Sequence, residues 1–234
     1  MRAVTDVISS GYIAEGVTVQ KFEHSFAEYL SVRHAVATNS GTSALHLALL
    51  ALEVGPGDEV IIPSYVCSAL LHAVNYTGAT PVLADICPKT CNLEAADIKK
   101  RISTRTRAII VPHLFGLPAD LNSLMALDVP IIEDCAQAVG SEYVQRPVGT
   151  FGIAAVYSFY ATKVITTGEG GMVVSNSKGI ADRIRDLKTY DQKNDYKIRF
   201  NYKMTDFQAA LGLGQLQRLD SFIRRRRIIA GQYT

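Results

Sequence analysis

Short apolar runs recur along the chain, and amphipathic stretches separate them. Nearly continuous apolar runs bounded by polar or turn residues are typical of central strands in a parallel sheet. Their alternation with helical segments favours a sheet that is covered by helices on both faces. The pattern predicts seven strands, at Ala35–Thr38, Val60–Pro63, Pro81–Ala84, Ala108–Pro112, Pro130–Glu133, Ala155–Ser158 and Gly171–Ser175.

Helical spacing predicts the elements between these strands. Val19–Leu30 is predicted to be a helix that has four large side chains on one face, namely Phe22, Phe26, Tyr29 and Leu30. Ser43–Leu52 is predicted as a second helix, after a Ser-Gly-Thr-Ser cap, and Thr205 to Ile229 as a long final helix. Residues 188–202 are polar and aromatic without periodicity, which predicts a long loop of the kind that often carries function.

Composition and charge exclude several classes of protein. The chain has 234 residues, 48% of them apolar, with 24 Lys and Arg against 22 Asp and Glu. This balance is typical of a globular protein and disfavours disorder, collagen or a basic nucleic-acid module. The one dense basic run, Arg224 to Arg227, is more typical of a solvated helix face than of a nucleic-acid site.

The cysteines and the amino terminus bear on metal binding and location. The four cysteines contain no CxxC pair, and no histidine stands at zinc-like spacing from Cys87 and Cys91, so no metal site is predicted. Free thiols in a reducing compartment are the better interpretation. The first residues lack the apolar core of a signal peptide, and no apolar run reaches the roughly 18 residues that a membrane span needs. We therefore expect a cytoplasmic protein without membrane contact.

Three segments carry candidate chemistry. The first, SFYATKVITTGEGG, places Lys163 between two predicted strands, where a lysine by itself is most simply a surface residue. The second, IIEDCAQAVGS, places Asp134 just past the carboxyl end of an apolar strand, where ligands bind in open α/β sheets, with Gln137 three residues later. An N-cap of a short helix is an equally good interpretation of Asp134.

The third segment joins the first strand to the Ser43–Leu52 helix through Asn39, Ser40, Gly41, Thr42 and Ser43. Backbone N–H groups and hydroxyls at a helix N-terminus can bind phosphate, although an ordinary capped turn would have the same residues. Pyridoxal 5′-phosphate (PLP) would use all three segments. Its aldehyde reacts with an amine, its ring nitrogen needs a carboxylate, and its phosphate needs oriented donors.

The motifs GTSALHLAL, PSY, EDCAQAVGS, SFYATKVITTGEGG and NYKMTDFQAALGLGQL occur in this order between about Ser10 and Tyr233. Together they resemble the DegT-like nucleotide-sugar aminotransferases, PLP enzymes of the aspartate-aminotransferase fold type. The resemblance implies a three-layer α/β/α domain with a mostly parallel seven-stranded sheet. It also implies a transamination from an amino-acid donor, L-glutamate by likeness to the family, to a nucleotide-linked keto-sugar.

The resemblance implies a role for each matching residue. Lys163 corresponds to the lysine that forms the Schiff base and then moves the proton between Cα and C4′. Asp134 corresponds to the partner of the pyridine nitrogen and Gln137 to a contact of the 3′-oxygen. The phosphate contacts correspond to Gly41, Thr42, Ser43 and Ser158. Asn201 is similar to an asparagine that reaches the neighbouring subunit's phosphate, which implies a homodimer; a loop hydrogen bond or a helix cap is its simpler role, and Thr205 is the alternative cap.

Two departures from the family's pattern bear on these expectations. Cys67 occupies a cofactor-contacting position where relatives carry an aromatic ring, so either Tyr65 covers the cofactor or the thiol contacts it with weaker stacking. Relatives also continue into a small domain. We therefore predict a PLP-binding large domain at 1–220, with 221–234 as the start of the connection to a small C-terminal domain that this sequence lacks.

Two alternatives to the enzyme remain at this point. One is a non-catalytic or vestigial PLP-binding core, and the other is an α/β binding module without PLP. Relatives that act as dehydratases carry histidine in place of the lysine, so Lys163 favours transamination. His113 follows a predicted strand and is placed to line the mouth of a pocket, although a lone histidine there is more often a hydrogen-bonded scaffold residue.

Overall fold

The strands of the computed structural model, which describes residues 2–233, include all seven predicted runs. They are β1 (His34–Thr38), β2 (Glu59–Pro63), β3 (Thr80–Ala84), β4 (Thr106–Pro112), β5 (Ile131–Asp134), β6 (Glu142–Tyr143), β7 (Arg146–Pro147), β8 (Ala154–Ser158) and β9 (Gly171–Ser175). β6 and β7 form a separate two-stranded hairpin that the sequence pattern did not predict. Two residues per strand are too few to produce a detectable alternation.

The helices are α1 (Arg2–Ser10), α2 (Val17–Leu30), α3 (Gly41–Ala51), α4 (Ala69–Thr77), α5 (Ala95–Arg101), α6 (Leu121–Met125), α7 (Lys178–Leu187), α8 (Asp206–Leu216) and α9 (Leu219–Tyr233). A short 3₁₀ turn lies at Leu114–Gly116. The predicted helices at 19–30 and 43–52 are confirmed as α2 and α3, each beginning two residues earlier than predicted. Phe22, Phe26 and Leu30 of α2 are buried, as the spacing predicted.

The large sheet has the strand order β1-β9-β8-β5-β4-β2-β3. The neighbours β3, β2, β4, β5 and β8 pair in parallel, whereas β9 runs antiparallel to both β8 and β1. Six strands therefore point in one direction. Their carboxyl ends, together with the amino end of β9, meet at one edge of the sheet.

Alternate residues of the strands face two different helical layers. Val60 and Ile62 pack in a core with α3, α4 and α7, while Ile61 packs in a core with α5 and α6. On the same side as Ile61, Tyr157 packs with Phe22 and Phe26 of α2. Both faces of the central strands are buried, which explains their nearly continuous apolar sequence. The predicted three-layer α/β/α architecture is confirmed.

The predicted final helix is wrong as a single element, because the chain turns at residues 217–218 between α8 and α9. The N–H of Arg218 donates to the carbonyl of Gln215 at 3.0 Å, a tighter bond than the helical repeat would give. The turn brings Leu219 into the α2 core, where its side chain is fully buried. The helical spacing of apolar residues continues through residues 217–218 and gives no sign of a turn. The burial of Leu219 favours the turn over a continuous helix.

The predicted loop at 188–202 contains neither helix nor strand. Its far end is fixed, because the N–H groups of Phe200 and Tyr202 donate to the carbonyls of Leu187 and Lys188 at 2.9 and 3.0 Å. The predicted domain boundary after residue 220 falls inside α9 and stays a prediction. Within residues 2–233, no helix combines the length and the apolar character needed to cross a bilayer.

Candidate active site

A cleft of about 230 Å³ opens at the carboxyl edge of the parallel strands. This is the edge where open α/β sheets bind their ligands. Seven of the predicted site residues line it: Gly41, Thr42, Cys67, Asp134, Gln137, Ser158 and Lys163. Segments that are more than a hundred residues apart in sequence therefore meet around one space.

The first wall of the cleft is the N-terminus of α3. The hydroxyl of Ser40 caps the helix by accepting a hydrogen bond from the N–H of Ser43 at 3.1 Å. Gly41 and Thr42 are the first two residues of the helix, so their N–H groups have no helical carbonyl to bond and are available to an anion. Ser43 is buried, with its Oγ 2.9 Å from that of Ser40; its predicted contact with phosphate stays a prediction.

Glycine at position 41 allows this helix to approach β8 closely. A Cβ atom on Gly41 would lie 2.9 Å from the Cβ of Ser158, closer than side chains tolerate. Gly171 makes a similar approach on the other side, where a Cβ would lie 2.3 Å from the carbonyl oxygen of Ser40. Because neither glycine has a side chain, the helix N-terminus can lie close against the sheet. Together with the hydroxyls of Thr42 and Ser158, the free N–H groups form an anion cradle.

Asp134 is the last residue of β5 and is 8% exposed. Burial raises the pKa of its carboxyl group, although a hydrogen bond from the N–H of Ala136 and the positive charge of Lys163 oppose this effect. Its Oδ1 accepts the Ala136 bond at 2.9 Å, which leaves Oδ2 for the cleft. A carboxylate in this environment is stabilised by a cation such as a protonated ring nitrogen.

Two predictions about Asp134 need correction. The residue lies inside the strand, paired with Val156 of β8, and not just beyond the end of the strand. Residues 135–141 form turns, so Asp134 does not cap a helix. The helix cap, one of the two interpretations of Asp134 that the sequence left open, is therefore wrong; the carboxylate accepts from the N–H of Ala136 and caps a turn instead.

Gln137 follows Asp134 by three residues, in the turns after β5, and also lines the cleft. Its Oε1 accepts a hydrogen bond from the N–H of Phe115 at 2.9 Å. The side-chain amide is thereby oriented, and its NH₂ group is the part that remains to donate to a ligand oxygen.

Lys163 lies in the loop between β8 and β9 and is half-buried. Two backbone hydrogen bonds of 2.9 Å close this loop, from Phe159 to Gly170 and from Thr167 to Phe159. The ring of Phe159 is buried against those of Phe22 and Phe26, with centroids 5.2 and 5.4 Å away. The loop that carries the lysine is therefore anchored in the core.

Cys67 lines the cleft, whereas Tyr65 lies outside it with 55% of its surface exposed. Tyr65 therefore does not line this wall of the cleft, and the contact of the Cys67 thiol with a cofactor stays a prediction. The four cysteines, all within the described residues, are free thiols.

Asn201 does not line the cleft and is exposed. Its carbonyl accepts a hydrogen bond from the side-chain amide of Asn39 at 3.3 Å. Thr205 caps α8, with its hydroxyl accepting from the N–H of Gln208 and its own N–H donating to that side chain. The alternative that Asn201 caps the last helix is therefore wrong.

The structure adds cleft residues that the sequence reasoning did not select as site residues, among them Ser40, His113, Tyr160 and Glu169. His113 was interpreted as a scaffold residue, and its hydrogen bonds agree. Its Nδ1 accepts from the N–H of Ala119 at 3.1 Å, so the ring proton lies on Nε2 and is donated to Glu133 at 3.1 Å. The apolar strand before it was the available signal, since it places the residue at the ligand-binding edge.

His113, Glu133 and Cys135 lie close enough together to suggest a metal site. However, both nitrogens of His113 are engaged, and Glu133 accepts further bonds from three backbone N–H groups, those of Gly149, Phe151 and Gly152. The cluster is therefore a hydrogen-bonded network, in which Nδ1 of His113 and both carboxylate oxygens of Glu133 already accept hydrogen bonds.

Comparison with known proteins agrees with this geometry. A family model described as the DegT/DnrJ/EryC1/StrS aminotransferase family matches residues 1–234. The chain belongs to this family. The predicted resemblance is thus confirmed over the whole chain.

Two members of the DegT/DnrJ/EryC1/StrS family illustrate the similarity in sequence. GDP-perosamine synthase of Escherichia coli O157:H7 is 43% identical over 240 residues, which cover 98% of this chain and 66% of the relative. The spore coat polysaccharide biosynthesis protein SpsC of Bacillus subtilis strain 168 is 40% identical over 252 residues, covering 100% of this chain and 65% of the relative. The chain thus spans about two thirds of the length of these curated relatives.

Solved structures of aminotransferases share the fold. DesV of S. venezuelae, in complex with a ketimine intermediate, superposes with a TM-score of 0.95 at 39% identity, covering 99% of this chain and 65% of that one. The sugar aminotransferase Spr1654 of Streptococcus pneumoniae, in its PLP form, gives a TM-score of 0.94 at 30% identity, covering 99% and 67%. The predicted aspartate-aminotransferase fold type is therefore confirmed.

Proposed function

We propose that this protein binds PLP in the cleft and transfers an amino group from an amino acid, L-glutamate, to a nucleotide-linked keto-sugar. The observation that carries the proposal is the position of Lys163 and Asp134 in one cleft with the α3 N-terminus. A lysine amine, a buried carboxylate and a set of free N–H groups match the three functional groups of PLP. Few other small molecules need all three.

Each residue has a defined task in this proposal. The N–H groups of Gly41 and Thr42, with the hydroxyl of Ser158, bind the phosphate. The carboxylate of Asp134 keeps a proton on the ring nitrogen, and the NH₂ group of Gln137 donates to the 3′-oxygen. When bound, PLP supplies a ring that accepts the electron pair left when the Cα–H bond of the substrate breaks.

Lys163 performs the proton transfer. Its Nζ would hold the cofactor at the aldehyde, with loss of water. Once displaced by the amino donor, the free Nζ would be the base that moves the proton between the substrate Cα and C4′ of the cofactor. Cys67 would line the ring's side of the cleft and give less stacking than an aromatic residue.

The substrate class rests on the relatives. One is named GDP-perosamine synthase and another a spore coat polysaccharide biosynthesis protein, which supports a nucleotide-linked sugar and a place in polysaccharide biosynthesis. We further propose a cytoplasmic homodimer in which Asn201 reaches the phosphate of the neighbouring subunit. The exposure of Asn201 outside its own cleft supports this arrangement.

Absorbance tests the proposal directly. Adding PLP should give a band near the edge of the visible range, and borohydride should remove the band and fix the cofactor to Lys163. L-Glutamate should remove the band without borohydride. Lys163→Ala should abolish covalent attachment, while Lys178→Ala, a change at an exposed lysine on α7, should leave it intact. A band that is indifferent to amino donors would instead support a non-catalytic PLP-binding core.

A further inference from the structure

Two hydrogen bonds join Asn39 to the segment that carries Asn201. The N–H of Asn39 donates to the carbonyl of Tyr202 at 2.8 Å, and its side-chain Nδ2 donates to the carbonyl of Asn201 at 3.3 Å. Asn39 lies directly between β1 and Ser40, the cap of α3. The residue that holds Asn201 is therefore also the residue that leads into the anion cradle.

The side chain of Asn39 has an unusual hydrogen-bond balance. Its Oδ1 is buried and has no hydrogen-bond partner among the described residues. A buried acceptor without a donor costs free energy, so it needs an explanation. The hydrogen bond from Nδ2 to the carbonyl of Asn201 provides an explanation, because it holds the side-chain amide in the orientation that leaves Oδ1 unpaired.

The rest of the 200–202 segment is fixed on the same subunit. The rings of Phe200 and Tyr202 stack at 4.9 Å, and both pack against His46 of α3. Backbone bonds to Leu187 and Lys188 complete the attachment. Asn201, which lies between Phe200 and Tyr202 in the sequence, is exposed, so its backbone is held while its side chain is free to contact another molecule.

We propose that Asn39 is a positioning residue that acts on the cofactor site of the partner subunit, by holding Asn201 in place. This inference rests on the proposed homodimer, in which Asn201 reaches the neighbouring phosphate. Because Asn39 precedes the cradle of its own subunit, a simple deletion would weaken binding whether it acted on its own site or on the partner's. The two cases separate only in mixed dimers.

Mixed dimers are made by co-expressing two differently tagged chains and purifying on both tags. Lys163→Ala removes covalent attachment from one subunit, so that borohydride followed by mass spectrometry measures PLP only on Lys163 of the other. In the first dimer, a wild-type chain is paired with an Asn39→Ala/Lys163→Ala chain. The dissociation constant for PLP should rise about three- to tenfold relative to a wild-type and Lys163→Ala pair, the usual effect of one hydrogen bond.

In the second dimer, an Asn39→Ala chain is paired with a Lys163→Ala chain. Lys163 is present only in the Asn39→Ala chain of this dimer, and the site of that chain receives Asn201 from a chain with an intact Asn39. The affinity of this site for PLP should therefore stay within about twofold of that in the wild-type and Lys163→Ala pair, well below the effect of one hydrogen bond. An affinity loss in the second dimer but not the first, or an equal loss in both, would overturn the proposal. Asn39→Leu, which is similar in size but lacks the donor, should give the same split and covers the case in which the alanine variant folds poorly.

Asn176 provides the matched control. Its side chain also bonds a backbone group, accepting from the N–H of Arg33 at 3.0 Å, but at the opposite edge of the sheet. Asn176→Ala in either dimer should leave PLP affinity unchanged.

A third dimer separates this proposal from the proposed function. A wild-type chain is paired with an Asn201→Ala/Lys163→Ala chain. If its affinity is lowered and that of the first dimer is not, only the role of Asn39 fails. If its affinity is unchanged, Asn201 does not reach the partner, and the proposed dimer contact and the role of Asn39 are both overturned while PLP binding to Lys163 stands.

Discussion

The imidazole of His113 donates from Nε2 to the carboxylate of Glu133 at 3.1 Å, and both side chains are completely buried. Glu133 directly precedes Asp134, and the backbone N–H of His113 donates to the carbonyl of Asp134 at 3.1 Å. The pair therefore joins the ends of β4 and β5 at the point where the carboxylate of Asp134 leaves the sheet. The hydrogen bond between His113 and Glu133 therefore helps to fix the position of Asp134.

Replacing Glu133 by glutamine should destabilise the protein and change its response to acid. Burial alone would raise the pKa of Glu133, but the hydrogen bonds from His113, Gly152 and Gly149 outweigh it and lower the pKa. An acid with a lowered pKa contributes stability above its unfolded pKa of 4.5 and loses it as the pH falls through the folded value. At pH 7 Glu133→Gln should cost about 2–4 kcal/mol, because a network of buried bonds is broken.

Urea unfolding between pH 7 and pH 3 measures this effect. The difference between wild type and Glu133→Gln should narrow as the pH falls below 4.5. Glu142→Gln, at an exposed position of β6, is the control and should change little at any pH. Equal stability of Glu133→Gln and wild type at pH 7 would contradict the prediction.

Asp134→Asn should have opposite effects on folding and on cofactor binding. Burial raises the pKa of Asp134, so its ionised form disfavours folding as the pH rises through the folded value. Without PLP, the asparagine variant should therefore be as stable as wild type, or more stable, at pH 7. Its affinity for PLP should fall roughly tenfold or more, since a charge-assisted hydrogen bond to the ring nitrogen is lost.

Thermal unfolding with and without PLP distinguishes these effects. Adding PLP should raise the Tm of the wild type by a large amount and the Tm of Asp134→Asn by much less. A variant that loses stability without PLP would show that Asp134 has a structural role instead.

Gly41→Ala should weaken the anion cradle. The new Cβ would lie 2.9 Å from the Cβ of Ser158, so the α3 N-terminus must move away from β8. We expect a loss of about 1–3 kcal/mol in stability and a weaker affinity for both PLP and inorganic phosphate. Gly214→Ala in α8, where a Cβ meets nothing within 4 Å, should instead stabilise the protein by about 0.5–1 kcal/mol. Urea unfolding and phosphate titration of Gly41→Ala and Gly214→Ala test whether a side chain at position 41 lowers stability and anion affinity.

Cys67→Phe should strengthen cofactor binding. An aromatic ring at this wall of the cleft adds stacking worth about 0.5–1.5 kcal/mol, or about two- to tenfold in affinity. Cys67→Ala should change the affinity much less. PLP should also slow the reaction of the exposed thiol with iodoacetamide, which peptide mapping can follow at Cys67. Equal labelling with and without PLP would show that the thiol does not face the cofactor.

The fold class followed from the sequence because both faces of the central strands are buried. Strands such as β2, where Val60, Ile61 and Ile62 are fully buried, need a continuous apolar run, and this signal is local. The break between α8 and α9 was not predictable, because the turn at 217–218 depends on where Leu219 finds its core. The antiparallel direction of β9 likewise depends on pairing between strands, for which the strand's own residues carry no signal.

The sequence by itself determined which chemical groups are available: a lysine in a glycine-rich segment, an aspartate after an apolar run, and a capped helix start. Residue type and local spacing encode these properties. Only the tertiary structure decided that Lys163 and Asp134 share a cleft, that Asp134 caps a turn and not a helix, and that His113 and Glu133 bond behind it. These relationships join residues far apart in the chain, and they arise when the parallel strands bring their carboxyl ends to one edge.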